Sequence, residues 1–474
     1  MKNIAILSAS LLLISSCSNE FEFDFSFGGS EPYDSNFKDA FESTYKPMES
    51  RPILFKSANI YDGIGGELLN YDLLIADGKI KEIGQVISRS DVEVIDASNK
   101  WVTPGIIDIH SHMGVYSAPG VRTSSDGNEA TAPVTAEVWA EHSVWTQDPQ
   151  MPLALKGGIT TFHVLPGSAN LIGGRGVTLK NIWSRTVQGM KFPGAPYTLK
   201  MACGENPKRV YGGRKSEPST RMGNVAGYRK AWIRAQGYRN KLAEYESKSE
   251  EAKELEYAPT RDLELETLVG VLNGEILIQN HCYRGEEMAV MLDIAEEFNY
   301  KVTTFHHAIE AYKVADILAD NGVCAAMWAD WWGFKHEAFD MVWENAAIVD
   351  QANAGNGCAI IHSDSSVGIQ RLNQEAAKAM AAGNRAGFSI SPSRAIQWIT
   401  SNPAKALGIA DKAGSLEVGK MADVVIWDGN PFSVYTKTEK VFVDGVLLYD
   451  KDNPLTPKAT DFELGIITSE GDRL

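Results

Sequence analysis

The chain is short of cysteine, of histidine and of basic charge, and each shortage narrows what the molecule can be. Its 474 residues carry 45 Lys and Arg against 61 Asp and Glu, a formal net charge of −16. Phosphate backbones are held by basic faces, so charge excludes a nucleic-acid partner. After Cys17 only Cys203, Cys282, Cys324 and Cys358 remain, far apart and without a CxxC pair. Each lies in an apolar, strand-like run and is read as a small buried thiol, not as half of a disulfide. Beyond the first residues no apolar run approaches the roughly 20 residues that cross a bilayer. The stretch GSANLIGGRG, with Arg175 as a possible anion cradle, lacks the Gly-Lys-Ser/Thr ending of a phosphate loop, which argues against a nucleotide. Hydrophobic residues at 44% and charged residues at 22% fit a folded chain, either of about three domains or of one large barrel with an accessory unit.

What is present begins at the N-terminus. In MKNIAILSASLLLISSC, Lys2 precedes an apolar run from Ile4 to Ile14, too short for a membrane span and of the length of a secretory core segment. Its end, Ile14-Ser15-Ser16-Cys17, resembles the bacterial lipobox. That resemblance implies a signal peptide over residues 1–16 and a lipid anchor on Cys17. The expected location is the cell envelope, at the periplasmic face or the cell surface, with the membrane touched only through the lipid. Residues 17–50, rich in acids, Phe, Gly and Ser, read as a tether.

Residues 51–103 alternate like strands, with Asp-Gly turns between them, and the same texture returns over 413–474. The two ends are expected to build one small β-sandwich. Over 104–412 apolar runs alternate with helical patterns, the signature of an α/β barrel with its site at the carboxyl ends of the strands. Seven strands can be placed; an eighth falls near 133–145 or within a loop. The charged stretch over 228–270 reads as a solvated helix pair.

Several of the nine histidines stand where those apolar runs end. In PGIIDIHSHMG, His110 and His112 are two apart on one strand and share a face, so both imidazoles can grip one divalent ion. Glu205 ends the run KMACGE and can ligate or bridge a metal. His281 ends a further strand. His306 and His307 end the next, where strand alternation lets only one of the pair point inward; His307 is chosen. Asp364, on the strand that also carries His362, is suited to take a proton from water. Tyr283 and Arg284 follow His281 on the loop facing the mouth, as an oxyanion donor and a carboxylate partner or as plain loop packing. The aromatics of MWADWWGFKHEAF either roof the pocket or form a separate hydrophobic cluster. His163 reads as a buried polar group.

The pattern of HxH, a His on each of two later strands and an Asp on the last is similar to that of the metal-dependent amidohydrolase superfamily. The entry VTPGIIDIHSH and the exit SNPAKALGIADKAGSLEVGKMADVVIWDGNPF strengthen the likeness, and GSANLIGGRGVTLK and HHAIEAYKVAD resemble the imidazolonepropionase-like branch. The resemblance implies a distorted (β/α)8 TIM-like barrel with a small β-sandwich. It implies one or two zinc ions, or another divalent metal, on His110, His112, His281, His307 and Asp364. Glu205 falls where relatives place a carboxylate or a carbamylated lysine; Lys200, at the start of its strand, speaks against the lysine version. The reaction implied is hydrolysis of a C–N bond, with Asp364 as the proton carrier. Export favours a small peptide or an acylated amino acid over a cyclic amide of the imidazolonepropionate kind, and a deaminase uses the same residues. The non-enzymatic alternative is a metal-containing envelope binding protein. Self-association into a homo-oligomer is left open.

Overall fold

Alternating apolar residues build the first strands, β1 (Ile53–Tyr61), β2 (Glu67–Ala76), β3 (Lys79–Gly84), β4 (Glu93–Asp96) and β5 (Trp101–Pro104). Eight more follow: β6 (Ile106–Ser111), β7 (Ile159–Val164), β8 (Ile172–Lys180), β9 (Thr198–Ala202), β10 (Leu277–His281), β11 (Val302–His306), β12 (Cys324–Met327) and β13 (Cys358–Ile361). The last three are β14 (Val424–Trp427), β15 (Thr438–Val443) and β16 (Val446–Asp450). This computed structural model describes residues 41–453. The expected signal peptide, Cys17 and most of the tether lie outside the described residues.

Strands from the two ends of the chain form one sheet in the order β16-β15-β14-β5-β1-β2-β3, with β4 beside β1. Its seam is β14 against β5, antiparallel, with Ile426 opposite Val102. Phe55, Ile60, Leu73, Ile75, Val424, Ile426 and Phe442 pack as one buried core. Each such side chain contributes about 1.5–3 kcal/mol of burial.

The second sheet runs β6 to β13 in sequence order, a barrel closed but for one seam. All neighbours in it are parallel except β8, which runs antiparallel to both β7 and β9. β8 is the eighth strand that the sequence leaves unplaced, and it passes through the Gly-rich stretch. Its glycines are there for close passage. A Cβ on Gly176 would lie 2.7 Å from His163 Nε2 and 2.5 Å from Thr198 Oγ1. The alternative position near 133–145 supplies only isolated bridges beside β8. Across the seam, the Asp364 amide donates to the His110 carbonyl (3.0 Å). Buried Asp108 accepts from the amide (3.2 Å) and the hydroxyl of Ser363.

The cysteines correct the sequence reading. Cys203–Cys282 and Cys324–Cys358 are disulfides. Cys324 and Cys358 are register partners on β12 and β13, and Cys203 and Cys282 follow the ends of the neighbouring β9 and β10. Parallel pairing brings their Cα atoms to 4.5 and 5.2 Å, within bonding range. Sequence separations of 34 and 79 residues hide that proximity. The end of the tether is also docked: the Phe41 ring packs on Trp139 and His142, and the Thr44 amide donates to Gln188. The charged stretch folds as helices Arg221–Glu246 and Leu263–Leu272 with a short turn of helix at Glu250–Lys253 between them. No described helix is long and apolar enough to cross a membrane.

Candidate active site

The carboxyl ends of the barrel strands bring the imidazoles together. His110 Nε2 lies 3.3 Å from His112 Nε2, and the two nitrogens are 3.6 and 3.3 Å from Asp364 Oδ1. His307 Nε2 is 3.8 Å from Asp364 Oδ2. The His307 ring centre is 4.4 Å from that of His110 and 4.8 Å from those of His281 and His362. His110, His281, His307 and His362 are buried, whereas His112 and Asp364 keep 18% and 26% of their side chains exposed. The cluster therefore opens to solvent on the His112–Asp364 side.

Both members of the His306–His307 pair reach this centre, against the expectation that one must turn away. His306 Nδ1 is 2.9 Å from His110 Nδ1, and its Nε2 is 2.7 Å from Gln279 Oε1. Strand alternation ends at His306; His307 follows with a left-handed backbone, φ +54°. Asp364 has φ +48° in the corresponding place after β13. Left-handed backbone is costly for residues with a side chain and concentrates at functional sites. Here it redirects one His and one Asp into the barrel mouth.

Glu205 does not join them. The chain turns at Gly204 (φ +75°), so Glu205 opens the helix Glu205–Gly212 and its carboxylate lies 3.6 Å from Lys335 Nζ. Its strand contributes Lys200 instead. Lys200 is the middle residue of β9, 1% exposed, and its Nζ has no hydrogen-bond partner. Burial brings its ammonium down to about 7, opposed by the nearby Asp364 carboxylate. The ground for setting a lysine aside thus falls, because Lys200 sits mid-strand and its charge is felt by His110, His281, His306 and His307. The sequence signal was present in the alternation of TLKMA, where Lys200 shares a face with Ala202 and Thr198.

Tyr283 is 4% exposed and meets the His281 ring edge-on at 4.5 Å. Arg284 pairs with Glu286 (2.6 Å). His163 spends both ring nitrogens on hydroxyls, of Thr178 (3.1 Å) and Thr198 (2.8 Å). Arg175 donates to Thr267 and lies over the Trp139 ring, so the Gly-rich stretch offers no anion cradle through it. In the aromatic segment, Trp328 stacks on His307 at 4.4 Å, and it joins Tyr283, Ile309 and Ala338 in a small core. Trp331 and Phe334 lie against Trp328 outside that core, and Trp332 packs on Trp343.

The donor set fits a divalent cation. His281 and His362 have no protein partner on either ring nitrogen, and His307 has none on Nδ1. Buried polar atoms rarely stay unpaired, and metal ligation is one way to satisfy them. Two triads, His110–His112–Asp364 and His110–His307–His362, each place three ligand atoms within 4.8 Å of one another. Burial, then the Lys200 charge, holds His110 well below its ordinary range; burial brings His362 to about 3. The buried imidazoles of His110 and His362 are therefore neutral, the form that ligates. Burial pushes the Asp364 carboxyl upward, but the His112 hydrogen bond, with His112, His362 and Lys200 close by, outweighs it and holds the carboxyl below its usual value.

The amidohydrolase family pattern matches residues 101–449. The chain is 30% identical over 416 residues to amidohydrolase tasK of Hapsidospora irregularis, a match covering 82% of this chain but only 41% of that relative. A solved amidohydrolase from Thermotoga maritima shares 34% identity with a TM-score of 0.76, over 84% of this chain and 100% of that one. The dihydroorotase of Pelotomaculum thermopropionicum is 35% identical over 80 residues, 17% of this chain and 19% of its own. The family pattern and the Thermotoga maritima match show that the chain belongs to the amidohydrolase family.

Proposed function

We propose that the protein is an exported, metal-dependent amidohydrolase that cleaves the amide bond of a small peptide or an acylated amino acid. The observation that carries this reading is the meeting of His110, His112 and Asp364 at the open end of a barrel in which buried His281 and His362 have no hydrogen-bond partner. Export is supported by the lipobox-like start and by two disulfides, which persist in oxidising compartments.

His110, His112, His281, His307, His362 and Asp364 would hold the ion or ions, with Lys200 in the place assigned to Glu205. A bound divalent ion, zinc or a similar metal, supplies a Lewis acid for the scissile carbonyl and lowers the pKa of water toward neutrality. The chain's own residues supply the proton traffic. Asp364, ionised at neutral pH, takes the proton of the attacking water and returns it to the leaving nitrogen. Burial raises the Tyr283 phenol well above its ordinary range, so it stays protonated and can donate to the carbonyl oxygen as negative charge builds there. Trp328, stacked on His307, shields that side of the centre from water.

A second reading is ring opening of a cyclic amide, which the local likeness to dihydroorotases favours. One experiment separates them. Metal-loaded and chelator-treated protein is incubated with dipeptides, N-acyl amino acids and cyclic amides, and the products are followed by mass spectrometry. The expected result is hydrolysis of acyclic amides, lost on chelation and regained on adding zinc. Turnover of cyclic amides alone would establish the second reading. Full metal occupancy without turnover of any amide would make the chain a metal-containing binding protein.

A further inference from the structure

The mouth of the site holds a cation that the chemistry so far leaves unused. Lys335 lies in the loop between β12 and the next helix, its side chain 18% exposed, and its Nζ is 4.1 Å from the centre of the Tyr283 ring. Tyr283 in turn touches His281 and faces His307 at 5.8 Å. Lys335 therefore stands one aromatic ring away from the imidazole cluster, and its charge is felt at His281.

The loop is built to hold it there. The Gly333 amide donates to the Ala338 carbonyl (2.8 Å), and the Ala338 amide to the Lys335 carbonyl (3.0 Å). Buried Glu337 accepts the Glu205 amide (2.9 Å) and pairs with Arg221, pinning the loop to the start of the helix Glu205–Gly212. An ammonium has three donors. Asn206 Oδ1 takes one at 2.7 Å, and that partner is neutral. The Glu205 carboxylate holds the ammonium only in a loose ion pair at 3.6 Å, a partner that a substrate carboxylate can displace. Beside Lys335 runs an apolar wall. Trp328, stacked on His307, continues to Trp331 (5.7 Å) and Phe334 (5.8 Å), and these two rings are 42% and 58% exposed.

From this juxtaposition we infer that Lys335 is a specificity-determining residue that pairs with the free carboxylate of the substrate, whose apolar side chain lies along Trp328, Trp331 and Phe334. The substrate class is then an N-acyl or N-aminoacyl derivative of an apolar amino acid. This inference rests on the amide-hydrolase reading above. Burial disfavours the Lys335 charge and Glu205 and Glu337 offset it only in part, so an arriving carboxylate meets an ammonium that still gains from pairing. Arg284, the cation expected from sequence to take this role, is already paired with Glu286.

The test uses the full-length, metal-loaded protein and a pair of amides that differ only in the carboxylate, N-acetylphenylalanine and N-acetylphenethylamine. If the substrate panel identifies a better-cleaved amide, its own carboxylate-free analogue replaces this pair. Wild type should prefer the acid, and Lys335→Met should reduce that preference by about tenfold or more, mainly through KM, as expected for losing one charge-assisted bond. Lys335→Arg should restore part of it. Glu205→Gln, which removes the competing carboxylate, should lower KM for the acid and leave the neutral analogue unchanged. A Lys335→Met enzyme that keeps the wild-type preference, or a wild type indifferent to the carboxylate, overturns the assignment while leaving the hydrolase intact. If the wild type cleaves no amide at all, the amide-hydrolase reading itself fails and takes this one with it.

Discussion

At the scale of single residues, the site turns on where two side chains leave a strand. His307 and Asp364 both follow the last regular residue of their strands with a left-handed backbone, and both reach the mouth for that reason. Asp364 is the residue whose loss should separate chemistry from binding. Replacing it with Asn keeps the shape and an oxygen donor but removes the proton acceptor. The expected outcome is a fall in kcat of about 100- to 10,000-fold with little change in KM, measured on protein whose metal content is checked to match wild type. Near-normal turnover with metal retained would remove Asp364 from the proton path. Much of this centre was legible in the sequence, because a polar residue ending an apolar run is a local signal. His110, His112, His281 and Asp364 are all visible that way. Lys200 was set aside although the alternation of TLKMA carried its signal, because its place ahead of the end of the run was read as the start of the strand, away from the site. Glu205 misled for the converse reason: a single glycine turn after Cys203 sends it to Lys335.

At the scale of elements, the barrel departs from a uniform parallel ring in two ways, and both were hidden from sequence. β8 is reversed and glycine-rich, so a segment that reads as a loop is a strand whose missing side chains make room for His163, Thr198 and Val138. The ring is also stapled. One disulfide joins β12 to β13, and the other joins the residues that follow β9 and β10, directly beside His281. The sandwich, by contrast, was open to sequence reading because alternation and Asp-Gly turns are local. The staples lead to a measurable expectation. Mass spectrometry of the unreduced, alkylated protein should find Cys203, Cys282, Cys324 and Cys358 all blocked to the reagent, with linked peptides in the pairs given. Cys324→Ala/Cys358→Ala should lower stability by about 2–4 kcal/mol in denaturant unfolding, the usual worth of a closed loop, while leaving the histidine centre assembled. Free thiols at these positions in protein recovered from the cell envelope would remove the disulfides from the fold and weaken the case for export.

At the scale of the whole molecule, the question is what makes the barrel and the two-ended sheet one body. The answer lies at Lys180, the last residue of β8, which is buried completely. Its ammonium donates to Asp423 Oδ1 and Asp444 Oδ1, each at 2.9 Å, and Asp444 also receives the hydroxyl of Tyr45. One cation from the barrel thus ties together the approach to β14, the turn between β15 and β16, and the segment preceding β1. Burial opposes the Lys180 charge, but Asp423 and Asp444 outweigh it and raise its pKa above the ordinary value. Burial raises the Asp423 carboxyl, and Lys180 pulls it back. Such a group is weak as a net source of stability while complete, since desolvation offsets most of the attraction, yet it is costly to break. Lys180→Met would leave two buried carboxylates facing each other, and the expected loss is about 3–5 kcal/mol in denaturant unfolding. The double variant Lys180→Met/Asp423→Asn leaves a single buried charge and should recover a substantial part of that loss, a coupling that additive effects of distant sites would not produce. If Lys180→Met unfolds within about 1 kcal/mol of wild type, the triad is not what unites the two halves, and the β14–β5 seam with its apolar core must carry the connection alone.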